Sequence, residues 1–243
     1  MKKFADLHLR VPFNNFSSVE NMIKKSAELG YQLVGIPLPY DFNKNMINQI
    51  KRICSSYGIE VVTRVNLFPR NSNELLKDLR NFRRKIEVIG VRCATKDVAR
   101  QAAKDRRVDL LLFSLTNFRQ RFFDKQEAEL SSQALSSLEI DLAPIFQLTS
   151  FSRIRLLSIL RKEVLIAKKA KVPIILCSGA SDEKLIRNPY DYSALTELFD
   201  LDLGSALKGF SENAIQIIER NKEKLSPDYI APGIRVVGRK IDG

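Results

Sequence analysis

The feature that most constrains the fold is a repeated alternation of short apolar segments with amphipathic helical segments. Apolar runs such as residues 59–65 and 174–177 are typical of strands buried on both faces of a parallel sheet. Helical stretches such as residues 19–29 instead place their apolar side chains on one stripe. No linker rich in Pro, Gly or Ser interrupts this alternation along the 243 residues. The pattern predicts a single α/β domain built on a parallel sheet.

Seven strand–helix units favour a closed, TIM-like (β/α) barrel over an open doubly wound sheet. An eighth strand is not evident, which leaves room for a distorted or incomplete barrel. We predict that the barrel domain covers residues 1–225 and that residues 226–243 form a basic, irregular C-terminal tail. The segment 114–135 is less regular than the rest, and residues 153–171 predict a long basic helix. The predicted strands are residues 4–9, 32–37, 59–65, 86–92, 108–113, 137–143 and 174–177.

The charge balance points to a polyanionic partner. The chain carries 40 Lys and Arg against 28 Asp and Glu, a net charge of +12, and the basic residues are spread along it. Such an excess favours nucleic acid or an anionic membrane surface, although a merely soluble basic protein is the alternative. No apolar run approaches the roughly 20 residues of a membrane span, and no hydrophobic signal region follows the first residues. We therefore expect a cytoplasmic protein, or a nuclear one in a nucleated cell.

The supply of metal ligands is small. His8 is the one histidine, and the three cysteines are far apart in sequence, which argues against a zinc site or a disulfide framework. Asp6-Leu7-His8-Leu9-Arg10 resembles the D-x-H-x-H opening of the polymerase-and-histidinol-phosphatase metal hydrolases, with Arg10 in place of the second imidazole. Because a cation at that position repels a metal, we predict no metal site and a structural role for His8.

Two carboxylates, Glu139 and Asp141, lie near the end of the predicted sixth strand. Such a pair could act as general acid and base. We expect them to point in opposite or staggered directions and to form structural hydrogen bonds or ion pairs. No catalytic residue is predicted.

Arginines at the ends of predicted strands are the main binding candidates. Arg10, Arg64 and Arg92 end strands, and Arg187 follows the seventh. Guanidinium groups on one rim could bind phosphate oxygens in bidentate fashion, although a solvated cation is the simpler reading of each. Further basic candidates lie elsewhere, and Arg119 and Arg121 lie among Phe118, Phe122 and Phe123, which could stack on bases or belong to the core. The candidates for RNA contact are Arg187, Arg92, Arg64, Arg107, Arg153 and Lys168.

Several motifs, taken in order, resemble one known family. Residues 175–180 read I-L-C-S-G-A and residues 185–191 read L-I-R-N-P-Y-D, before a helix with Leu195, Leu198 and Phe199. Asp6-Leu7-His8, Leu138-Glu139-Ile140 and Ser211-Glu212-Asn213 match at their expected places. Over residues 4–220 the sequence resembles the ribonuclease P protein component 3 family. Cys177, where the family often has Ser, and the segment after residue 220 depart from it.

This resemblance implies a barrel related to the metal hydrolases but without their metal site. It also implies a noncatalytic subunit that binds and stabilises the RNase P RNA, while the RNA removes the 5′ leader of precursor tRNA. Mg²⁺ would serve the RNA, and this chain would bind no cofactor. A small RRM-like subunit would be the protein partner, in a heterotetramer of two copies each, with indirect contact to precursor tRNA and none to membranes. An archaeal origin is favoured.

Within the predicted set, Arg187 alone has motif support, because it lies in the L-x-R-x-P-x-D segment; the others rest on charge and position. Two other readings stay open: a metal-dependent phosphoesterase on the same barrel, and a protein-interaction scaffold.

Overall fold

The computed structural model describes residues 2–231 and 234–235 and has a sheet of seven parallel strands at its centre. The strands lie side by side in chain order, each paired with the next along the sequence. This order is that of a barrel, and the predicted TIM-like (β/α) architecture is confirmed. The strands are β1 (Phe4–Asp6), β2 (Tyr31–Pro37), β3 (Glu60–Leu67), β4 (Val88–Arg92), β5 (Leu110–Leu112), β6 (Ser137–Asp141) and β7 (Ile174–Cys177).

Helices follow the strands and cover the outside of the sheet. Asn and Thr side chains cap several of them: Asn43, Asn71 and Thr95 each accept a hydrogen bond from a backbone N–H in the first turn. The helices are α1 (Phe16–Glu28), α2 (Lys44–Ser56), α3 (Ser72–Phe82), α4 (Lys96–Lys104), α5 (Lys125–Ala134), α6 (Ala143–Gln147), α7 (Ser150–Ala170), α8 (Pro189–Leu195), α9 (Leu203–Gly209) and α10 (Glu212–Leu225). In the described part of the chain, no helix is both long and apolar enough to cross a lipid bilayer.

The barrel is nearly closed by the seven strands of the described sheet, without an eighth. At the gap, β1 and β7 are linked by individual hydrogen bonds near their carboxyl ends. The N–H of Ser178 donates to Asp6 Oδ1 at 2.9 Å, and the N–H of Arg10 donates to the carbonyl of Ala180 at 2.9 Å. The N–H of Ala5 donates to the carbonyl of Phe210, after α9, at 2.7 Å. The connection through α9 therefore takes up a backbone donor that an eighth strand would otherwise pair.

Two regions differ from the sequence prediction. The segment predicted to be irregular contains α5, whose N-terminus is capped by Asp124, and the long basic helix begins at Ser150 instead of residue 153. In the predicted irregular tail, β8 (Tyr229–Ala231) pairs with β9 (Ile234–Arg235) in antiparallel fashion. Residues 232–233 and 236–243 of that predicted tail lie outside the described residues. The division at residue 225 stays a prediction.

The two ends of the barrel are filled differently. At the amino-terminal end, α10 closes the interior: Ala214, Ile217 and Ile218 belong to the same apolar cluster as the inward side chains of the strands. Polar contacts fix this helix, since Asn221 Nδ2 donates to Asp109 Oδ1 and to the carbonyl of Glu87, both at 2.8 Å. Because this end is plugged, the open end of the barrel is the carboxyl end of the strands, where sites in such folds are built.

The packing of α4 against α5 contains a carboxyl group that should make stability depend on pH. Burial raises the pKa of Glu127 to about 7, even though Arg100 Nη1 donates to its Oε2 at 2.9 Å. An acid whose pKa is higher in the folded than in the unfolded chain holds its proton in the native state, so stability falls as pH rises from about 4.5 to 7. We expect Glu127→Gln to remove this fall, which is about 3 kcal/mol for a pKa raised from 4.5 to about 7, because one pKa unit is about 1.4 kcal/mol.

Urea unfolding of the unchanged chain and of Glu127→Gln between pH 5 and pH 8 measures the free energy of unfolding of each. Parallel dependence of that free energy on pH in the two proteins would contradict the prediction.

Candidate functional site

A cluster of polar side chains fills the barrel interior near its carboxyl end. Because strand residues two apart share a face, β3 directs both Arg64 and Asn66 inward, and β6 directs both Glu139 and Asp141 inward. Both carboxylates lie near His8, since its Nδ1 is 3.5 Å from Glu139 Oε1 and 2.8 Å from Asp141 Oδ1. The prediction that the two carboxylates point in opposite or staggered directions is therefore wrong. Their predicted role in ion pairs and hydrogen bonds agrees with the contacts.

The centre of this cluster is a buried ion pair. Arg64 Nη1 and Nη2 donate to Glu139 Oε1 and Oε2 at 2.6 and 2.7 Å, and the two side chains are 0 and 1 % exposed. Nη1 also donates to the carbonyl of Leu7 at 2.7 Å, and Nε to Asn66 Oδ1 at 2.8 Å. Bidentate geometry and these extra bonds offset the cost of removing the charges from water.

The burial of Arg64 corrects its predicted role. A guanidinium with no exposed surface cannot contact RNA in this conformation, so the prediction that Arg64 is an accessible contact on the rim is wrong. Its neighbour Gly90 makes room for it, because a Cβ there would lie 2.9 Å from Asn66 Oδ1 and 3.1 Å from Arg64 Nη2.

His8 continues the same network. Its Nδ1 lies 2.8 Å from Asp141 Oδ1, and its Nε2 lies 3.0 Å from Asn66 Nδ2. Because Asn66 Oδ1 accepts from Arg64, its amide nitrogen is the atom that faces the imidazole, and Nε2 is the acceptor. This assigns the proton to Nδ1, which donates to Asp141. Burial would raise the pKa of Asp141, but the interaction with His8 and the nearby charges of Arg64 and Arg10 hold it below its usual value.

The D-L-H segment and the S-G-A turn are joined by a second set of contacts. Asp6 Oδ1 accepts from the N–H of Ser178 at 2.9 Å and from that of His8 at 3.2 Å. Burial raises the pKa of the Asp6 carboxyl, against the hydrogen bonds from Ser178. Gly179 has φ +59° and lies so close to Asp141 that a Cβ would be 2.5 Å from its Cγ, so the turn requires glycine. Both motifs thus build the wall of the site.

The contacts of the clustered side chains show whether they could hold a metal ion. His8, Glu139 and Asp141 could each offer one ligand atom, with all three atoms within 4.8 Å of one another. However, both Glu139 oxygens accept from Arg64, and Asn66 faces His8 Nε2. A fixed guanidinium in direct contact with one ligand would repel a divalent cation. The residues therefore do not fit a metal ion, and its absence stays a prediction.

A cleft opens above this cluster at the carboxyl ends of β3, β4, β5 and β6. Its volume is about 350 Å³. Arg10 borders it, held by a hydrogen bond from Nε to the carbonyl of Gly179 at 2.8 Å. The lining residues are His8, Arg10, Asn66, Phe68, Arg92, Leu112, Phe113, Ser114, Leu115, Thr116, Asp141, Pro144 and Gln147.

The predicted RNA-contact residues do not form one site. Arg92 lines the cleft, and Arg64 lies inside the barrel. Arg187 and Arg153 meet around Phe146: the Arg187 guanidinium is 5.8 Å from its ring, and Arg153 Nη2 is 3.3 Å from its carbonyl.

Arg107 and Lys168 lie elsewhere. Arg107 precedes β5, towards the amino-terminal end of the barrel, where Asp105 accepts from its Nε at 2.9 Å and its Nη2 at 2.7 Å. Lys168 Nζ donates to the carbonyl of Asp200 at 3.0 Å. The predicted ring of strand-end arginines is thus reduced at the cleft to Arg10 and Arg92.

Two residues of the site were not found in the sequence. Asn66 links Arg64 to His8, and the exposed Phe68 borders the cleft. The sequence did carry a signal in their positions. Asn66 and Phe68 follow Arg64 at intervals of two, and residues at this interval share one face of a strand. The Arg121 guanidinium is buried against Glu163, and Phe123 is also buried, which favours the core reading of that segment.

The buried ion pair gives a prediction of stability. Arg64→Met leaves Glu139 buried without its partner, so we expect a loss of about 3 to 5 kcal/mol in the free energy of unfolding. Glu139→Leu should cost a similar amount, and the double variant Arg64→Met/Glu139→Leu should recover most of the loss. Urea unfolding of the four proteins measures this. A double variant as unstable as the sum of the two single variants would contradict the coupling.

Comparison with known proteins agrees with the fold and the motifs. A family described as RNase P subunit p30 matches residues 3–226. The Ribonuclease P protein component 3 of Methanosarcina mazei is 28% identical over 241 residues, which are 97% of this chain and 96% of that protein. That of Methanocaldococcus jannaschii is 24% identical over 230 residues, covering 94% of this chain and 98% of that protein.

A solved structure shares the fold over the same extent. One chain of a cryo-EM structure of archaeal Ribonuclease P with mature tRNA superposes with a TM-score of 0.84 at 22% identity, covering 98% of this chain and 100% of that one. The match of the family over nearly the whole chain, with the motifs at 6–8, 138–140 and 175–191 inside it, establishes that this chain belongs to the RNase P subunit p30 family.

Proposed function

We propose that this chain is a protein subunit of ribonuclease P that binds and stabilises the catalytic RNA, which removes the 5′ leader of precursor tRNA. The observation that carries the proposal is family membership over residues 3–226, together with relatives named Ribonuclease P protein component 3 that align along nearly their whole length. A match of this extent leaves little of the relatives' chains without a counterpart here.

The distribution of charge supports an RNA partner. The net charge is +12, and α7 carries exposed cations including Arg155, Lys162 and Lys169. Lys and Arg side chains that neutralise phosphates release counterions, so such a surface lowers the cation concentration that RNA folding requires. Mg²⁺ serves the RNA in this proposal, and the chain binds no cofactor.

The barrel interior argues against the enzyme alternative. A metal-dependent phosphoesterase needs free ligand atoms at the carboxyl end of the strands, whereas both oxygens of Glu139 are bound to Arg64. The chain has a noncatalytic role in this proposal, and the chemistry belongs to the RNA.

Further parts of the proposal concern partners and location. A small RRM-like protein subunit joins this chain in a heterotetramer of two copies each, and contact with precursor tRNA is indirect. Native mass spectrometry of the two purified proteins together tests the stoichiometry. The cytoplasmic location stays a prediction.

The central experiment is precursor-tRNA cleavage at limiting Mg²⁺, with the cognate RNase P RNA and the small protein partner, with and without this chain. We expect the chain to raise the rate at low Mg²⁺ and to lose its effect at high Mg²⁺, where counterions replace it. Cleavage by the chain without RNA, or an unchanged rate with it, would contradict the proposal.

Arg187 gives a more local prediction. Its guanidinium lies at the surface over Phe146, so Arg187→Ala should weaken binding of the RNase P RNA several-fold and reduce the slope of log affinity against log salt by about 1. Arg107→Ala is the comparison, because Asp105 already holds that guanidinium. Filter binding at several salt concentrations measures both. Equal losses in the two variants would mean that Arg187 contributes only general charge.

A further inference from the structure

The cleft at the carboxyl end of the barrel combines an aromatic wall with cations. Its volume of about 350 Å³ lies within the range of small-molecule pockets, roughly 300 to 1,000 Å³. Phe68 is 60% exposed on one side, so its ring is accessible to a ligand in the cleft. Arg10 and Arg92 also line the cleft.

The two guanidinium groups have free donors. Among residues 2–231 and 234–235, the Arg92 side chain makes no hydrogen bond or ion pair, although it is only partly exposed. Arg10 donates from Nε to the carbonyl of Gly179, and its two terminal nitrogens donate no hydrogen bond within the same residues. Guanidinium donors of this kind match phosphate oxygens.

The rim of the cleft is held in place by the surrounding core. Arg121 Nη1 donates to the carbonyl of Ser114 at 2.9 Å, while the same guanidinium pairs with Glu163, and both of these side chains are buried. The N–H of Asn117 donates to Ser114 Oγ at 2.9 Å, which fixes the turn that carries Thr116. A wall ordered before the ligand arrives reduces the entropy cost of binding.

The acidic groups define where a phosphate can lie. Asp141 is the one acidic residue that lines the described cleft, and its Oδ1 is already engaged by His8. A neighbouring cleft of about 410 Å³ shares Asn66 and Phe68 but is bordered by Glu74 and Asp78, which repel phosphate. The side that carries Arg10 and Arg92 is therefore the phosphate side.

We propose that this cleft binds one unpaired nucleotide of an RNA strand, with the base stacked on Phe68 and a phosphate held by Arg92 and Arg10. Aromatic side chains that stack on splayed bases, beside cations that bind the backbone, are the common means of recognising single-stranded RNA. The inference rests on the proposed function, because the RNase P RNA supplies the strand.

The test uses fluorescence anisotropy of the full chain with a labelled short single-stranded oligoribonucleotide and with the RNase P RNA. Phe68→Ala should weaken oligoribonucleotide binding on the order of 10-fold, the loss expected for one stacked base. Arg92→Gln should weaken it several-fold and lower the salt slope by about 1. The controls are Leu203→Ala, at a 42% exposed position on α9, and Arg52→Gln, on the exposed side of α2, and both should bind as the unchanged chain does.

Circular dichroism of each variant establishes that it is folded. Losses confined to Phe68→Ala and Arg92→Gln support the cleft. Equal binding by all four variants, or equal losses in the controls, would overturn it. Competition with free uridine and adenosine monophosphates distinguishes an RNA strand from a free nucleotide as the ligand. Binding of these nucleotides without binding of the oligoribonucleotide also overturns the proposal. If the cleft proposal is overturned but the unchanged chain still stimulates precursor-tRNA cleavage, the subunit function stands and only the nucleotide-binding role of the cleft is rejected.

Discussion

The structure depends on the buried bidentate pair between Arg64 and Glu139. It joins β3 to β6 across the barrel, and through Asn66 it fixes the imidazole of His8. Charges with so little exposure persist only when every donor and acceptor has a partner, and the carbonyl of Leu7 takes one remaining donor. The pair therefore sets the arrangement of the whole polar layer at the carboxyl end of the strands.

This arrangement bears on the likeness of Asp6-Leu7-His8 to the opening motif of the metal hydrolases. The Arg64 guanidinium supplies a positive charge beside Glu139, at the position where a bound cation would otherwise contact the carboxylates of β6. Among the described residues, His8, Glu139 and Asp141 are the group that could offer metal ligands, and both oxygens of Glu139 already accept from Arg64. The carboxyl end of the barrel has an open cleft lined by Arg10, Phe68 and Arg92, and these side chains are suited to binding.

The periodic features of the sequence were sufficient for the fold. Alternation of buried strands and amphipathic helices predicted the barrel. The I-L-C-S-G-A motif was noticed for its resemblance to a family, and the structure supplies its physical reason, because Gly179 has a positive φ. The missing eighth strand was anticipated, but its replacement by the carbonyl of Phe210 was not, because that bond joins distant parts of the chain. Arg64 was misjudged for a related reason: a single sequence does not reveal that Glu139, 75 residues away, neutralises it. Long-range pairing, rather than local propensity, decided which arginines are accessible.

The most direct test of this account is single-turnover cleavage of precursor tRNA by the reconstituted complex containing Asp141→Asn. The amide oxygen can still accept from His8, so the fold is kept while the carboxylate that a metal or general-base mechanism would need is removed. If the chain is a noncatalytic subunit, the cleavage rate stays within about twofold of that of the unchanged complex. A fall of about a hundredfold or more, the scale of a lost general acid or base, with assembly intact, would contradict it.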